Sequence, residues 1–221
     1  MKVENGNLCR GDRPRSPVRG QVRIEGKDMY NEEIKSYINK EIEVLKALDV
    51  SSINAVMTAI VDAYNKDSNI YIFGNGGSAA TASHFQNDFN KGLSENLEKK
   101  FNFVCLNDNI ATVMAIANDL GYENIFEYQL KGKLKQNDLV IAISGSGNSE
   151  NVIKAIEYAK QQNVKTIGIT GYDGGKLAKM VDISFNVPVN DMQIAEDVHM
   201  ILDHLMMSVL MNRINNENSI S

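Results

Sequence analysis

The chain has little of what would tie it to a membrane, a nucleic acid or an oxidising compartment. It holds only two cysteines, Cys9 and Cys105, far apart in sequence. That is too few for a disulfide framework, and they read as free thiols of a reducing, cytoplasmic setting. No apolar run approaches the ~20 residues that span a bilayer as a helix, so no membrane partner is expected. Net charge is −5, and no basic stripe runs through the folded part, which argues against nucleic acid. Proline is scarce: there are three, and two of them, Pro14 and Pro17, fall within the first 28 residues.

Those 28 residues differ from the rest. Seven Lys or Arg face four Asp or Glu there, with almost no periodic apolar pattern. They read as a disordered extension, with Met29 as a plausible start. The polar end, 215–221, is expected to fray. The stretch between, 29–214, is long enough for one α/β domain with a substantial core, and no internal repeat divides it.

Two helical stripes come first. Ile34, Ile38, Ile42, Leu45 and Leu48 mark one; Ile53, Met57, Ile60, Val61 and Tyr64 mark the second, after a possible cap at Ser51 and Ser52. Apolar, β-branched runs then predict strands near 69–73, 101–106, 138–143, 164–170 and 183–188. Helices are expected near 78–92, 110–131 (broken around Gly121), 150–163 and 175–181. Such alternation predicts a five-stranded parallel sheet, doubly wound, with two extra N-terminal helices. A last helix, about 191–212, is apolar nearly all round in its second half, from Met200 to Met211. A helix of that kind must be buried, and subunit contact is the simplest cover.

Two of the strand ends carry unusual turns. Ile70-Tyr71-Ile72-Phe73 runs into Gly74-Asn75-Gly76-Gly77-Ser78. About seventy residues later, Val140-Ile141-Ala142-Ile143 runs into Ser144-Gly145-Ser146-Gly147-Asn148-Ser149. Glycines permit tight turns and close ligand approach. The helix start beyond each turn offers unpaired N–H groups and a positive dipole end, which suits a phosphate. In a doubly wound sheet, ligands bind at the carboxyl ends of the strands.

The ionisable residues cluster as well. His84 and Asp88 are four apart on the helix after the first turn and so share a face. Glu196, His199, Asp203 and His204 crowd the start of the last helix. Carboxylate and imidazole on helices that open at a ligand-binding edge supply a general acid/base pair or ligands for a divalent metal. A salt-linked cluster without an ion remains an alternative.

The ordered set Gly74-Asn75-Gly76-Gly77-Ser78, His84, Asn118-Asp119 before Gly121-Tyr122-Glu123, and Ser144-Gly145-Ser146-Gly147-Asn148-Ser149 resembles the sugar isomerase (SIS) domain family. Within it the chain is similar to the bacterial phosphoheptose isomerases, over essentially all of 30–212. The resemblance implies a flavodoxin-like SIS fold, a homotetramer and a sugar-phosphate substrate. It also implies interconversion of sedoheptulose 7-phosphate and D-glycero-D-manno-heptose 7-phosphate. Ser78, Ser144, Ser146 and Ser149 would contact the phosphate, with Gly145 beside them. Asn75, Gly76, Gly77, Asn118 and Asp119 would contact the sugar. Asp88 and His204 match the catalytic pair, with Glu196 and Asp88 also facing substrate. One zinc ion per subunit would be held by His84, Asp88, Glu196 and His204. Three positions depart from the family pattern: Asp88 stands for its glutamate, Glu196 for its glutamine, and Gly145 for a common threonine.

Three other readings compete. Gly74-x-Gly76-x-x-Ala79 meets the dinucleotide fingerprint after a strand. Its required acid would be Asp108, nearly thirty residues past Ala79, and the second serine-rich turn would go unexplained. A noncatalytic SIS adaptor of the DnaA-binding type would have little use for His84, Asp88, Glu196 and His204 together. A sugar-phosphate sensor would bind ligand without turnover.

Overall fold

The computed structural model describes residues 29–95 and 97–218, with side chains as far as Ile214. The expectations for 1–28 and for Cys9 therefore lie outside the described residues, as does the last part of the expected fraying tail. By its internal contacts the chain divides into two units, 1–37 and 38–221. The first contains the opening turns of helix α1 (Asn31–Lys46), whose Glu32 and Lys35 pair at 2.9 Å on the surface. The second holds the sheet and the helices packed on it.

Five strands form one all-parallel sheet in the order β2-β1-β3-β4-β5. They are β1 (Ile70–Gly74), β2 (Phe103–Cys105), β3 (Leu139–Ser144), β4 (Lys165–Gly171) and β5 (Ile183–Val187). Their side chains alternate between two cores, as the period-2 geometry of a strand requires. Ile70, Ile72, Ile141, Ile143, Ile167, Ile169 and Phe185 face one side, where α2 (Val50–Asn65), α3 (Gly77–Asn87) and α8 (Met192–Asn218) pack. Tyr71, Phe73, Val140 and Ala142 face the other, under α4 (Ile110–Asp119), α5 (Glu127–Leu130), α6 (Glu150–Gln161) and α7 (Gly175–Met180). Burial on both faces explains why the strands read as continuous apolar runs rather than as alternating ones.

The expected strands and helices are all present, within a few residues. Two details differ. The helix expected over 78–92 is α-helical only to Asn87, and Asp88–Leu93 continue as a π-helical stretch. Ser94 Oγ caps that wider turn by donating to the Phe89 carbonyl at 2.7 Å. The last helix runs on to Asn218 rather than ending near 212. Asp191 starts it, accepting from the Gln193 and Ile194 amides, and Lys40 of α1 pairs with the same carboxylate at 2.6 Å.

One consequence of the strand order matters most. From β1 the chain goes to β2 on one side, then returns to β3 on the other. β1 and β3 are direct neighbours, with Gly74 opposite Ile143. Their carboxyl ends are the switch point of the sheet, where a crevice opens.

Candidate active site

Both glycine/serine turns sit at that crevice. In the first, the Asn107 side chain holds Gly74 in place: its amide donates to the Gly74 carbonyl at 2.9 Å, and its oxygen accepts from the Gly74 N–H at 3.2 Å. Gly76 then turns with φ 56, a conformation that L side chains rarely adopt, and opens α3 without any side-chain cap. Asn75 is clamped from two directions. It exchanges two amide hydrogen bonds of 2.9 Å with Asn151 of α6, and its oxygen also accepts from the Tyr122 hydroxyl at 2.8 Å. Asn118 and Asp119 lie exposed at the end of α4 and bond to each other at 2.7 Å. The chain reaches the first turn through Tyr122, just beyond them.

In the second turn, the buried Ser144 hydroxyl lies 3.4 Å from that of Ser149, and the Ser146 hydroxyl accepts from the Asn148 amide at 3.3 Å. Ser149 precedes α6 with extended backbone and makes no side-chain cap; the Val152 N–H donates to the Asn151 side chain at 2.9 Å, which leaves the Glu150 and Asn151 N–H groups at the helix start for a ligand. The turn leans on the one after β4. Gly147 has φ +63, and a Cβ there would overlap the Gly174 carbonyl. Gly145 abuts the Met192 sulfur, which fills space a larger residue at 145 would need.

The ionisable cluster lies where α3 meets α8. His84 Nε2 is 3.0 Å from His204 Nε2 and 3.5 Å from Asp88 Oδ2. His204 Nε2 lies 3.9 Å from the same Asp88 oxygen. The wider π-turn begins at Asp88 itself; such turns recur at functional sites because they re-aim a side chain. A fourth group completes the set. Asp203 Oδ2 is 3.9 Å from His84 Nε2, and one donor atom from each of the four residues falls within 4.8 Å of every other. Asp203 has no exposure, and neither carboxylate oxygen has a hydrogen-bond partner. Burial, and next the charge of Asp88, push its carboxyl up to about 8.

Of the ligands expected from the resemblance, His84, Asp88 and His204 are thus together. Glu196 is elsewhere: its carboxylate lies against Gly77 at the start of α3, where a Cβ would collide with it. A negative charge is favoured there by the helix dipole. Asp203, Tyr122 and Asn151 were not expected in these roles. For Asp203 a signal existed, since it is the one acid in the apolar stretch from Met200 to Met211. Cys105 is buried and its thiol pushed up to about 12, chiefly by burial, so it is no nucleophile.

The match with known proteins agrees with the fold. The family described as the SIS domain matches residues 30–171. The chain belongs to the SIS domain family. A probable phosphoheptose isomerase of Thermoplasma volcanium is 33% identical over 80% of this chain and 90% of its own. A phosphoheptose isomerase of Aneurinibacillus thermoaerophilus is 32% identical, over 81% and 93%. The solved phosphoheptose isomerase of Neisseria gonorrhoeae superimposes with TM-score 0.74 at 30% identity, covering 81% of this chain and 97% of that one. Among the described residues of this SIS chain, no single helix is long and apolar enough to cross a membrane.

His199 lies on α8, one turn before Asp203. It is fully buried, its Nε2 donates to the Thr170 carbonyl at 3.0 Å, and burial lowers its pKa from 6.5 to about 4. As pH falls below 6.5 the unfolded chain takes up this proton while the folded one does not, until about 4. Stability is therefore lost across that window, by about 3 kcal/mol in all. Denaturant titrations of metal-free wild type and His199→Asn at pH 7, 5.5 and 4.5 should show the gap between them shifting against wild type as pH falls. A gap independent of pH would refute the buried neutral imidazole.

Proposed function

We infer that the chain is a phosphosugar aldose–ketose isomerase, interconverting sedoheptulose 7-phosphate and D-glycero-D-manno-heptose 7-phosphate through an enediol. The observation that carries this is a carboxylate–imidazole cluster built on the helix that the first of two glycine/serine turns opens, both turns ending neighbouring strands, in a chain whose relatives are named phosphoheptose isomerases.

Ser78, Ser144, Ser146 and Ser149, with the N–H groups at the start of α6, hold the phosphate. It takes no part in the bond changes; its binding energy fixes C1 and C2 against the acid/base pair. Asn75, locked by Asn151 and Tyr122, orients the sugar hydroxyls, together with Gly76, Gly77, Asn118 and Asp119. Asp88 removes a proton from C1 of the ketose as the electron pair forms the C1–C2 double bond. His204 gives a proton to the C2 oxygen, which yields the enediol. Return of a proton to C2, with loss of the C1 hydroxyl proton, makes the aldose.

Two imidazoles and a carboxylate at these separations, with an unpartnered buried carboxylate beside them, are a donor set suited to zinc. His84, Asp88 and His204 would hold the ion. When bound it supplies positive charge against the oxygen that becomes anionic. The enzyme works in the cytoplasm as a homotetramer. In support, Leu205 and Val209 on α8 and Ile38 and Ile42 on α1 are exposed in the single chain. Light scattering should read four copies at micromolar concentration, and a stable active monomer would contradict that.

Proton NMR of sedoheptulose 7-phosphate with the protein tests the activity. Anomeric signals of the aldose should grow in and, in D2O, exchange at C2; chelator should slow both. No aldose signal from metal-replete protein would overturn the assignment.

A further inference from the structure

Helices α3 and α8 bring two donor atoms each to one point. His84 and Asp88 are four residues apart, and Asp203 and His204 are adjacent, about 100° apart around α8. Separations of 3.0, 3.5, 3.9 and 3.9 Å among them bracket the ~3.3–3.5 Å expected between ligand atoms around a tetrahedral zinc with bonds of ~2.0–2.1 Å. Glu196 is outside this group, its carboxylate lying against Gly77 at the start of α3. Asp203 is inside it, fully buried, with both oxygens unpartnered.

We propose that Asp203, rather than Glu196, is the fourth ligand of a divalent metal, which makes a two-histidine, two-carboxylate site with His84, Asp88 and His204. An ionised carboxylate buried without a partner is costly, and a bound cation removes that cost. Two carboxylates and a divalent ion sum to zero charge, so the site closes on the ion without a buried excess. Glu196 stays free to face the start of α3 and the sugar. The proposal rests on the cluster being a metal site, and it adds which α8 residue completes that site.

The test is metal affinity, read apart from turnover. Metal-free protein is titrated with zinc against a chromophoric chelator, and with cobalt(II) for its visible spectrum. Wild type should bind one ion per chain. Asp203→Asn and Asp203→Leu should each bind at least about a hundredfold more weakly and lose the four-coordinate cobalt spectrum. Glu196→Ala, which removes every ligating atom at that position, should bind within about threefold of wild type. Circular dichroism confirms folding, and His84→Ala serves as the variant that must lose the ion. Wild-type affinity in both Asp203 variants would overturn the assignment of the fourth ligand while leaving the metal site standing, and loss in Glu196→Ala would then give that place to Glu196. No metal bound by wild type would overturn the site itself, and the NMR assay decides separately whether the chain is an isomerase.

Discussion

His204→Ala should lower turnover by about 10²–10⁴-fold, the range contributed by one positioned acid/base group, while the sugar phosphate still binds. The two effects separate because the phosphate turns belong to β1 and β3, whereas His204 stands on α8. His204 is half-exposed in the single chain, so its loss leaves no core cavity. Single-turnover kinetics together with calorimetry on sedoheptulose 7-phosphate measures both quantities. If the variant turns over at the wild-type rate, the proton transfer belongs to another group, and His84, 3.0 Å from His204 in the same cluster, is the first to examine; His199 is fully buried and tied to the Thr170 carbonyl. Loss of binding equal to the loss of rate would make His204 a binding residue instead.

Gly147→Ala should damage the phosphate turn more than any serine deletion. The residue has φ +63, and its missing Cβ is replaced in space by the Gly174 carbonyl. A left-handed alanine alone costs about 1–2 kcal/mol. The overlap is with backbone of a neighbouring turn, which cannot swing aside as a side chain would. A total of about 3 kcal/mol or more is expected, or roughly 6–12 °C in melting temperature for a chain of this size. Ligand binding should fall by more than tenfold. Gly132→Ala is the control. Its φ is +71, yet nothing lies within 4 Å of the added Cβ, so it bears only the backbone cost. Equal effects of the two substitutions would show that the packing between the two turns contributes nothing.

Single-strand and single-helix features were legible in the sequence because they depend on spacing within one element. Apolar runs ending at Gly74 and Ser144 read as strands entering ligand turns, and both lie where expected. His84 and Asp88 share a face because four residues make about one helical turn. The exposed apolar side chains of α8 answer to a helix with too little polar surface for a single sheet face to cover.

Relations between elements were not legible. Alternating strands and helices predict a doubly wound sheet, but only the order β2-β1-β3-β4-β5 brings the two turns side by side at one switch point. Tyr122 reaches Asn75 across 47 residues, and Asn151 across 76, contacts with no local periodicity to betray them. The α8 ligands show the limit most plainly. Glu196 and His204 are ~80° apart around their helix, and Asp203 and His204 are ~100° apart, so either acid could accompany the histidine. Which one meets His84 depends on how α8 rolls against α3, and that roll is set by Ile194, Val198, Leu202 and Met206 packing into the core. Periodicity fixes the angles within a helix; only packing fixes the angle between two.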